Sequence, residues 1–330
     1  MAERLRVALI GTGGISRFAH IPAWRSLAGV EVVAVAEPVA ERRLQALEGL
    51  GDPQGQRVRA FASYAEMLDA CRPDLVDVTI QPGGAKNLAI EAALGAGCHV
   101  TCQKPFTLDL PSAVALTDRA RTLGRILSVN QQARFAPAFA AARRAIEEGG
   151  LGDLRTIRLW SDFPNPGDRQ WLEYSVHSFD LVRFWAGREP RRVRAWWKRQ
   201  TEQPQFVLGV WLDFGGPLMA EIWDEMSSST TLRWGFRLMG DRGSLSGHEA
   251  FGEGMVPAEV AMALAGVPGE TLTPVHPPYV PAAFACYFAA LVAAIEGRGP
   301  VPTPAADNLQ TLRLAFAARR AADDGAWVDL

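Results

Sequence analysis

The chain has 330 residues, 48% hydrophobic and 21% charged, which suits two globular domains and excludes a disordered tail protein. A net charge of −2 provides no basic field, so neither nucleic acid nor anionic lipid is expected as a partner. No apolar run is long enough to span a membrane, MAERLRVALIGTGG lacks a signal-peptide h-region, and Cys71, Cys98, Cys102 and Cys286 show neither zinc spacing nor a disulfide framework. The expectation is a cytoplasmic chain with reduced thiols and no metal.

Residues 5–10, LRVALI, read as a strand because GTGGIS follows. Gly11 and Gly13 match the first two glycines of G-x-G-x-x-G, and Ser16 takes the third position. Gly11 permits a tight turn, Gly13 admits a pyrophosphate, and a helix is predicted to begin near Ser16. A second strand, 30–36, ends at Glu37, 21 residues after Ser16. A carboxylate at that spacing accepts from ribose hydroxyls and repels a 2′-phosphate, favouring NAD over NADP; a solvated loop acid is the other reading. Arg42 and Arg43 could meet a phosphate, but the helix predicted at 40–49 puts them more simply on its polar face. The alternation continues with helix 64–70, strand 75–80, helix 87–97, strand 99–102 as the fourth, helix 110–124 with Pro111 in its first turn, and strand 126–130. Strand–helix repeats of this kind predict an α/β Rossmann-type doubly wound parallel sheet. Its ligand-side strand ends carry Gly11, Glu37, Gln81, Gln103–Lys104 and Asn130. Pro105 holds Lys104 in an extended conformation, so that lysine is aimed; a snorkelling surface lysine reads the same way from position alone.

From about residue 151 the pattern becomes strand after strand: 154–163, 193–199, 206–214, 218–226 and 232–240. The last alternates Leu232, Trp234, Phe236 and Leu238 against Arg233 and Arg237. This predicts an α+β domain with a large, mostly antiparallel open sheet. Most of the ten tryptophans lie between Trp160 and Trp234; sugar stacking is one reading, and core or subunit contact the commoner one on a sheet face. A helix over 170–187 carries Leu181, Phe184 and Trp185 on its apolar face. Glu173, His177 and Asp180 could share another face, as a proton-transfer site or as a salt-bridged surface. Residues 250–281, rich in Gly and Pro, read as a loop. Helices are predicted over 284–297 and about 305–323. The domains divide as 1–127 and 128–330, with the last helix able to pack back on the first domain.

GTGGIS with its acid after strand two, GCHVTCQKPF, VNQQARFAPAF, YSVHSFDL and RLMGDRGSLSG resemble the glucose–fructose oxidoreductase / inositol dehydrogenase / rhizopine-catabolism (Gfo/Idh/MocA) family over nearly the whole chain. The family's Glu-Lys-Pro reads Gln103-Lys104-Pro105 here. Its Asp-x-Gly-x-His-x-x-Asp reads Glu173, Ser175, His177 and Asp180, and a histidine often found after the third strand reads Asn87. The resemblance implies an NAD-dependent oxidoreductase moving hydride between nicotinamide and a sugar, polyol or related hydroxy compound. It implies that Lys104 steadies the alkoxide, His177 takes the hydroxyl proton and Glu173 orients His177 or helps relay the proton. Gly11, Thr12, Gly13, Gly14 and Ile15 would hold the dinucleotide with Glu37. Gln81, Pro82, Asn87, Gln103, Lys104 and Asn130 would complete that site, and Trp171 and Asp180 would face the substrate. A homodimer or homotetramer through the second sheet is expected. Two alternatives stay open: an NAD-dependent glycosidase of the same fold, and a nucleotide-binding protein without turnover.

Overall fold

Val7, Ala8, Leu9 and Ile10 are buried on both faces of their strand, which is why a short, nearly continuous apolar run becomes a central strand of a parallel sheet. The computed structural model describes residues 4–164, 171–199, 206–228, 233–251, 258–267, 269–275 and 279–330. In chain order the first elements are β1 (Leu5–Ile10), a π-helical turn (Ser16–His20), α1 (Ile21–Ser26), β2 (Val30–Ala36) and α2 (Ala40–Gly49). Then come β3 (Arg59–Phe61), α3 (Tyr64–Cys71), β4 (Leu75–Val78), α4 (Gly84–Gly95), β5 (His99–Gln103), α5 (Leu110–Thr122) and β6 (Leu127–Asn130). The strands form a six-stranded parallel sheet of order β3-β2-β1-β4-β5-β6, a doubly wound arrangement whose order reverses beside β1. Asp109 caps α5 by accepting from the Ser112 amide at 2.7 Å, with Pro111 in the first turn.

The helix after the glycine loop begins at Ser16 as expected, its first turn π-helical before α1. Two local expectations are corrected here. The strand expected over 75–80 stops at Val78. The strand at 99 is the fifth, because β3 precedes it; two of the three β3 residues are exposed, so no apolar run marks it.

The later elements are α6 (Pro137–Glu147), β7 (Leu154–Pro164), α7 (Trp171–Ala186), β8 (Arg192–Arg199), β9 (Phe206–Asp213), β10 (Met219–Ser228) and β11 (Arg233–Gly240). After them come β12 (Gly243–Ala250), β13 (Ala258–Leu264), β14 (Thr271–Val275), α8 (Tyr279–Ile295), α9 (Ala305–Asp324) and β15 (Val328–Asp329). Among the described residues, nine strands make one sheet of order β14-β13-β12-β11-β7-β10-β9-β8-β15. It is antiparallel except at β7 and β10, which pair in parallel. Trp234, Phe236 and Leu238 are buried while Arg233 and Arg237 are exposed, as the alternation requires; Leu232 lies outside the described residues. The stretch expected as a loop over 250–281 contains β13, which pairs with β12, and β14, which pairs with β13. On α7, Leu181 and Trp185 are buried, while Phe184 is half-buried with the guanidiniums of Arg134 and Arg143 5.2 and 5.3 Å from its ring centre.

Two compact units result. One joins the chain up to Gln132 with Phe284–Leu309; the other joins Ala133–Ala283 with Gln310–Leu330. The division differs from a cut at 127/128 because the chain returns late to the first unit. There Tyr287 meets the hydroxyls of Thr101 and Ser128 at 2.9 and 2.7 Å, and Phe288 stacks on Trp24 with ring centres 3.9 Å apart. No helix among the described residues is long and apolar enough to cross a membrane.

Candidate cofactor and active-site residues

In the first unit, the carboxyl ends of β1 and β2, with the turns after β3 and β4, enclose a cavity of about 910 Å³. It is lined by Gly11, Gly13, Gly14, Ile15, Glu37 and Gln81, and also by Arg17 and Arg42. Gly11 has φ +86°, and a Cβ there would lie 3.2 Å from Ile80, so the turn requires glycine. A Cβ at Gly13 would meet nothing within 4 Å, which leaves open space above the backbone. Thr79 donates its hydroxyl to the Gly11 carbonyl at 2.5 Å and ties the turn to the end of β4.

Glu37 is 5% exposed and held in place: Oε2 accepts from the Thr12 amide at 2.9 Å and Oε1 from the Val39 amide at 3.1 Å. Each carboxylate oxygen keeps acceptor capacity beyond those bonds. Arg43 donates to the Glu37 carbonyl at 2.6 Å, fixing the loop, while Arg42 Nη1 stands 3.9 Å from Glu37 Oε1. Thr12 is fully buried and donates to the Arg42 carbonyl at 3.2 Å. Arg17 was not singled out by the sequence pattern. Its Nη1 is buried and has no hydrogen-bond partner among the described residues. A guanidinium left with donor capacity beside an open glycine backbone suits a pyrophosphate, so these residues fit a dinucleotide.

Behind the loop lies a buried polar cluster. His20 Nδ1 and Trp24 Nε1 both donate to Asp77 Oδ2 at 2.8 Å, and Asn130 Nδ2 stands 3.5 Å from His20 Nε2. Phe284 and Phe288 pack on the His20 ring with centres 5.2 and 5.3 Å away. Asn130 is therefore part of the interior, 0% exposed. Gln81 is exposed, Pro82 and Asn87 are half-buried, and Asn87 Oδ1 is buried without a partner among the described residues.

Lys104 is half-buried at the end of β5, with a cis peptide to Pro105. Its amide donates to Gln103 Oε1 at 2.8 Å. Lys86, on the first turn of α4, is 0% exposed and donates to the carbonyls of Gln103 and, at 2.7 Å, Pro105. Nothing in the helix pattern distinguishes Lys86. The available signal was composition: of 34 basic side chains only Lys86, Lys104 and Lys198 are lysines.

The second unit carries the other predicted group on α7. His177 is 4% exposed, its ring edge-on to Trp234 at 6.1 Å, and Glu173 is half-buried. Asp180 is fully buried and held by Arg134 in a two-pronged pair at 2.7 and 2.7 Å, with Thr311 donating at 3.1 Å. A carboxylate this deep requires such a partner. Ser175 and Ser178 both face the carboxyl of Asp224 on β10, which also accepts from Ser161 at 2.5 Å. Burial keeps the Asp224 carboxyl above its ordinary range. The side chain of Trp171 lies outside the described residues.

Residues 5–131 match the model of an oxidoreductase family with an NAD-binding Rossmann fold, and residues 139–246 match the GFO/IDH/MocA C-terminal domain. D-apiose dehydrogenase of Paraburkholderia graminis is 35% identical over 58% of this chain and 52% of its own length. 1,5-Anhydro-D-fructose reductase of Ensifer adhaerens is 27% identical over 97% of both chains. The chain spans about half the length of several other curated relatives it matches. A solved oxidoreductase from Agrobacterium radiobacter, in complex with NAD+, L-tartaric acid and magnesium, superposes with TM-score 0.84 at 19% identity, covering 99% of this chain and 98% of that one.

Proposed function

Because the chain belongs to the Gfo/Idh/MocA family of NAD-binding oxidoreductases, we propose that it transfers hydride between NAD and the carbinol carbon of a sugar, polyol or related hydroxy compound. The observation that carries this reading is the cavity over Gly13, with Arg17 on one side and the anchored Glu37 carboxylate on another. The relatives named for D-apiose and 1,5-anhydro-D-fructose support the substrate class.

When bound, nicotinamide supplies the hydride acceptor or donor. The remaining work falls to this chain's side chains. Gly13 and Arg17 hold the pyrophosphate, and Glu37 accepts from the adenosine ribose hydroxyls. Lys104 offers an ammonium to the oxygen that gains charge as the carbinol loses hydride. His177 takes the hydroxyl proton and returns it in the reverse direction, with Glu173 orienting its ring. We assign NAD rather than NADP because a 2′-phosphate would meet the Glu37 carboxylate. Arg42 at 3.9 Å offsets part of that repulsion, so the preference is finite. We further propose a cytoplasmic homo-oligomer joined through the second unit's sheet.

A panel of sugars and polyols with NAD and NADP, followed at the NADH absorbance, tests the activity. The expected outcome is NAD-linked turnover of at least one member; retained NAD with no net reduction of any member would reject it. Titrating each cofactor against tryptophan fluorescence tests the preference. NAD should bind tighter, and Glu37→Ser should narrow the difference; tighter NADP binding by the wild type would remove this role from Glu37.

A further inference from the structure

Lys86 is a costly residue where it stands. It occupies the third position of α4, whose N-terminal end favours anions over cations, and its side chain is wholly removed from water. The rest of the chain strongly prefers arginine, with only three lysines among 34 basic side chains. Arginine's planar fork directs its donors outward, whereas an ammonium is compact and can turn its three donors toward oxygens converging from different sides. At Lys86 the oxygens converge: the Gln103 carbonyl lies on one side of Lys104 and the Pro105 carbonyl on the other. A third backbone polar group of this stretch, the Lys104 amide, is taken by Gln103 Oε1. Three backbone groups around Lys104 are therefore fastened, two of them by one buried ammonium.

We propose that Lys86 is the positioning residue for Lys104, holding the backbone from which that side chain projects. The proposal rests on Lys104 acting at the reacting oxygen, as above. Lys86 touches peptide carbonyls and not substrate, so its effect passes through the direction of Lys104. Loss of the clamp releases the Gln103–Pro105 segment, and a displacement of about 1 Å at a reacting group costs on the order of 10²-fold in rate. The pyrophosphate loop and Glu37 belong to other strand ends and keep their geometry.

The scarcity of lysine makes the test direct. Reductive methylation of the folded wild type with ¹³C-formaldehyde should label Lys104, Lys198 and the terminal amine and leave Lys86 unmodified. Labelling of Lys86 as fast as the exposed Lys198 would show that no buried clamp exists and would overturn the proposal. Lys86→Met should retain NAD affinity within about twofold, lower kcat on the order of 10²-fold, and displace the Lys104 dimethylamine signal. Lys86→Gln, which restores a neutral donor, should recover part of the kcat and folds if the methionine variant does not. Wild-type kcat with an unmoved Lys104 signal in either folded variant overturns the proposal. Failure of the functional reading looks different: Lys104→Met would then turn over normally, while the Lys104 signal would still answer to Lys86.

Discussion

Replacing Lys104 by methionine keeps the side chain's length and removes its ammonium. If that ammonium steadies a developing alkoxide, Lys104→Met should cost roughly 3–4 kcal/mol at the transition state, about 10²–10³ in kcat, with NAD affinity nearly unchanged. His177→Ala should also lower kcat and flatten its pH profile. Steady-state kinetics on the first active substrate, with fluorescence titration of NAD, checks both; normal turnover of Lys104→Met would remove the lysine from the chemistry. Glu249 offers a test that needs no substrate. It is 2% exposed, and burial pushes its carboxyl up to about 7 despite the amides of Ala138 and Ala250, which donate at 3.1 and 3.3 Å. The folded state therefore holds this proton more tightly than the unfolded chain. Its stabilising contribution is full below the ordinary glutamate value and is lost as pH rises through about 7. A shift of that size corresponds to about 3 kcal/mol. Urea unfolding at pH 5 and pH 8 should show the wild type weaker at pH 8, and Glu249→Gln should reduce the difference.

At the scale of elements, the return of α8 to the first unit rests on a hydroxyl cluster. Tyr287→Phe deletes the group that Thr101 and Ser128 meet. Ser128 keeps the carbonyls of Pro302 and Thr303, but Thr101 is left buried without this bond, so the variant should lose about 1–3 kcal/mol in urea unfolding. An unchanged midpoint would show that the cluster is not what fastens the helix. The elements legible from sequence are those whose burial imposes a period. β1, β2 and α2 fall where LRVALI, VEVVAVA and the 40–49 helix pattern put them, because glycine or proline punctuates apolar runs. β12, with Gly243 and Gly247 among serines, and β13 and β14 owe their strand form to neighbouring ladders, which no local pattern announces. The site divides similarly. Gly11 and Glu37 were legible because a turn and a strand end dictate them. Lys86 was hidden because its partners are backbone carbonyls 17 and 19 residues away, and carbonyls carry no residue identity.

At the scale of the whole molecule, the second unit's sheet leaves tryptophans on its outer face: Trp160, Trp211 and Trp223 are 45, 37 and 39% exposed. Trp160 and Trp223 are direct neighbours across β7 and β10, and the Trp160 ring lies over Gly235, where a Cβ would come within 2.2 Å of it. Aromatic surface displayed this way is suited to burial against a second copy. Light scattering at micromolar concentration should give a dimer or tetramer, and Trp160→Asp combined with Trp223→Asp should shift it toward monomer while NAD binding persists. A wild-type monomer would reject the assembly.

The late return of the chain also orders events during its biosynthesis. The dinucleotide unit begins to emerge from the ribosome first, yet Tyr287 and Phe288 reach it only after about 150 further residues have been translated. At about 5–20 residues per second, the first segment, once made, waits roughly 8–30 s for that cover on Trp24 and the Thr101–Ser128 edge. The second unit's strands are made during that interval. A nascent chain stalled near residue 283 should therefore hold a protease-sensitive dinucleotide unit, and release at residue 310 or beyond should protect it.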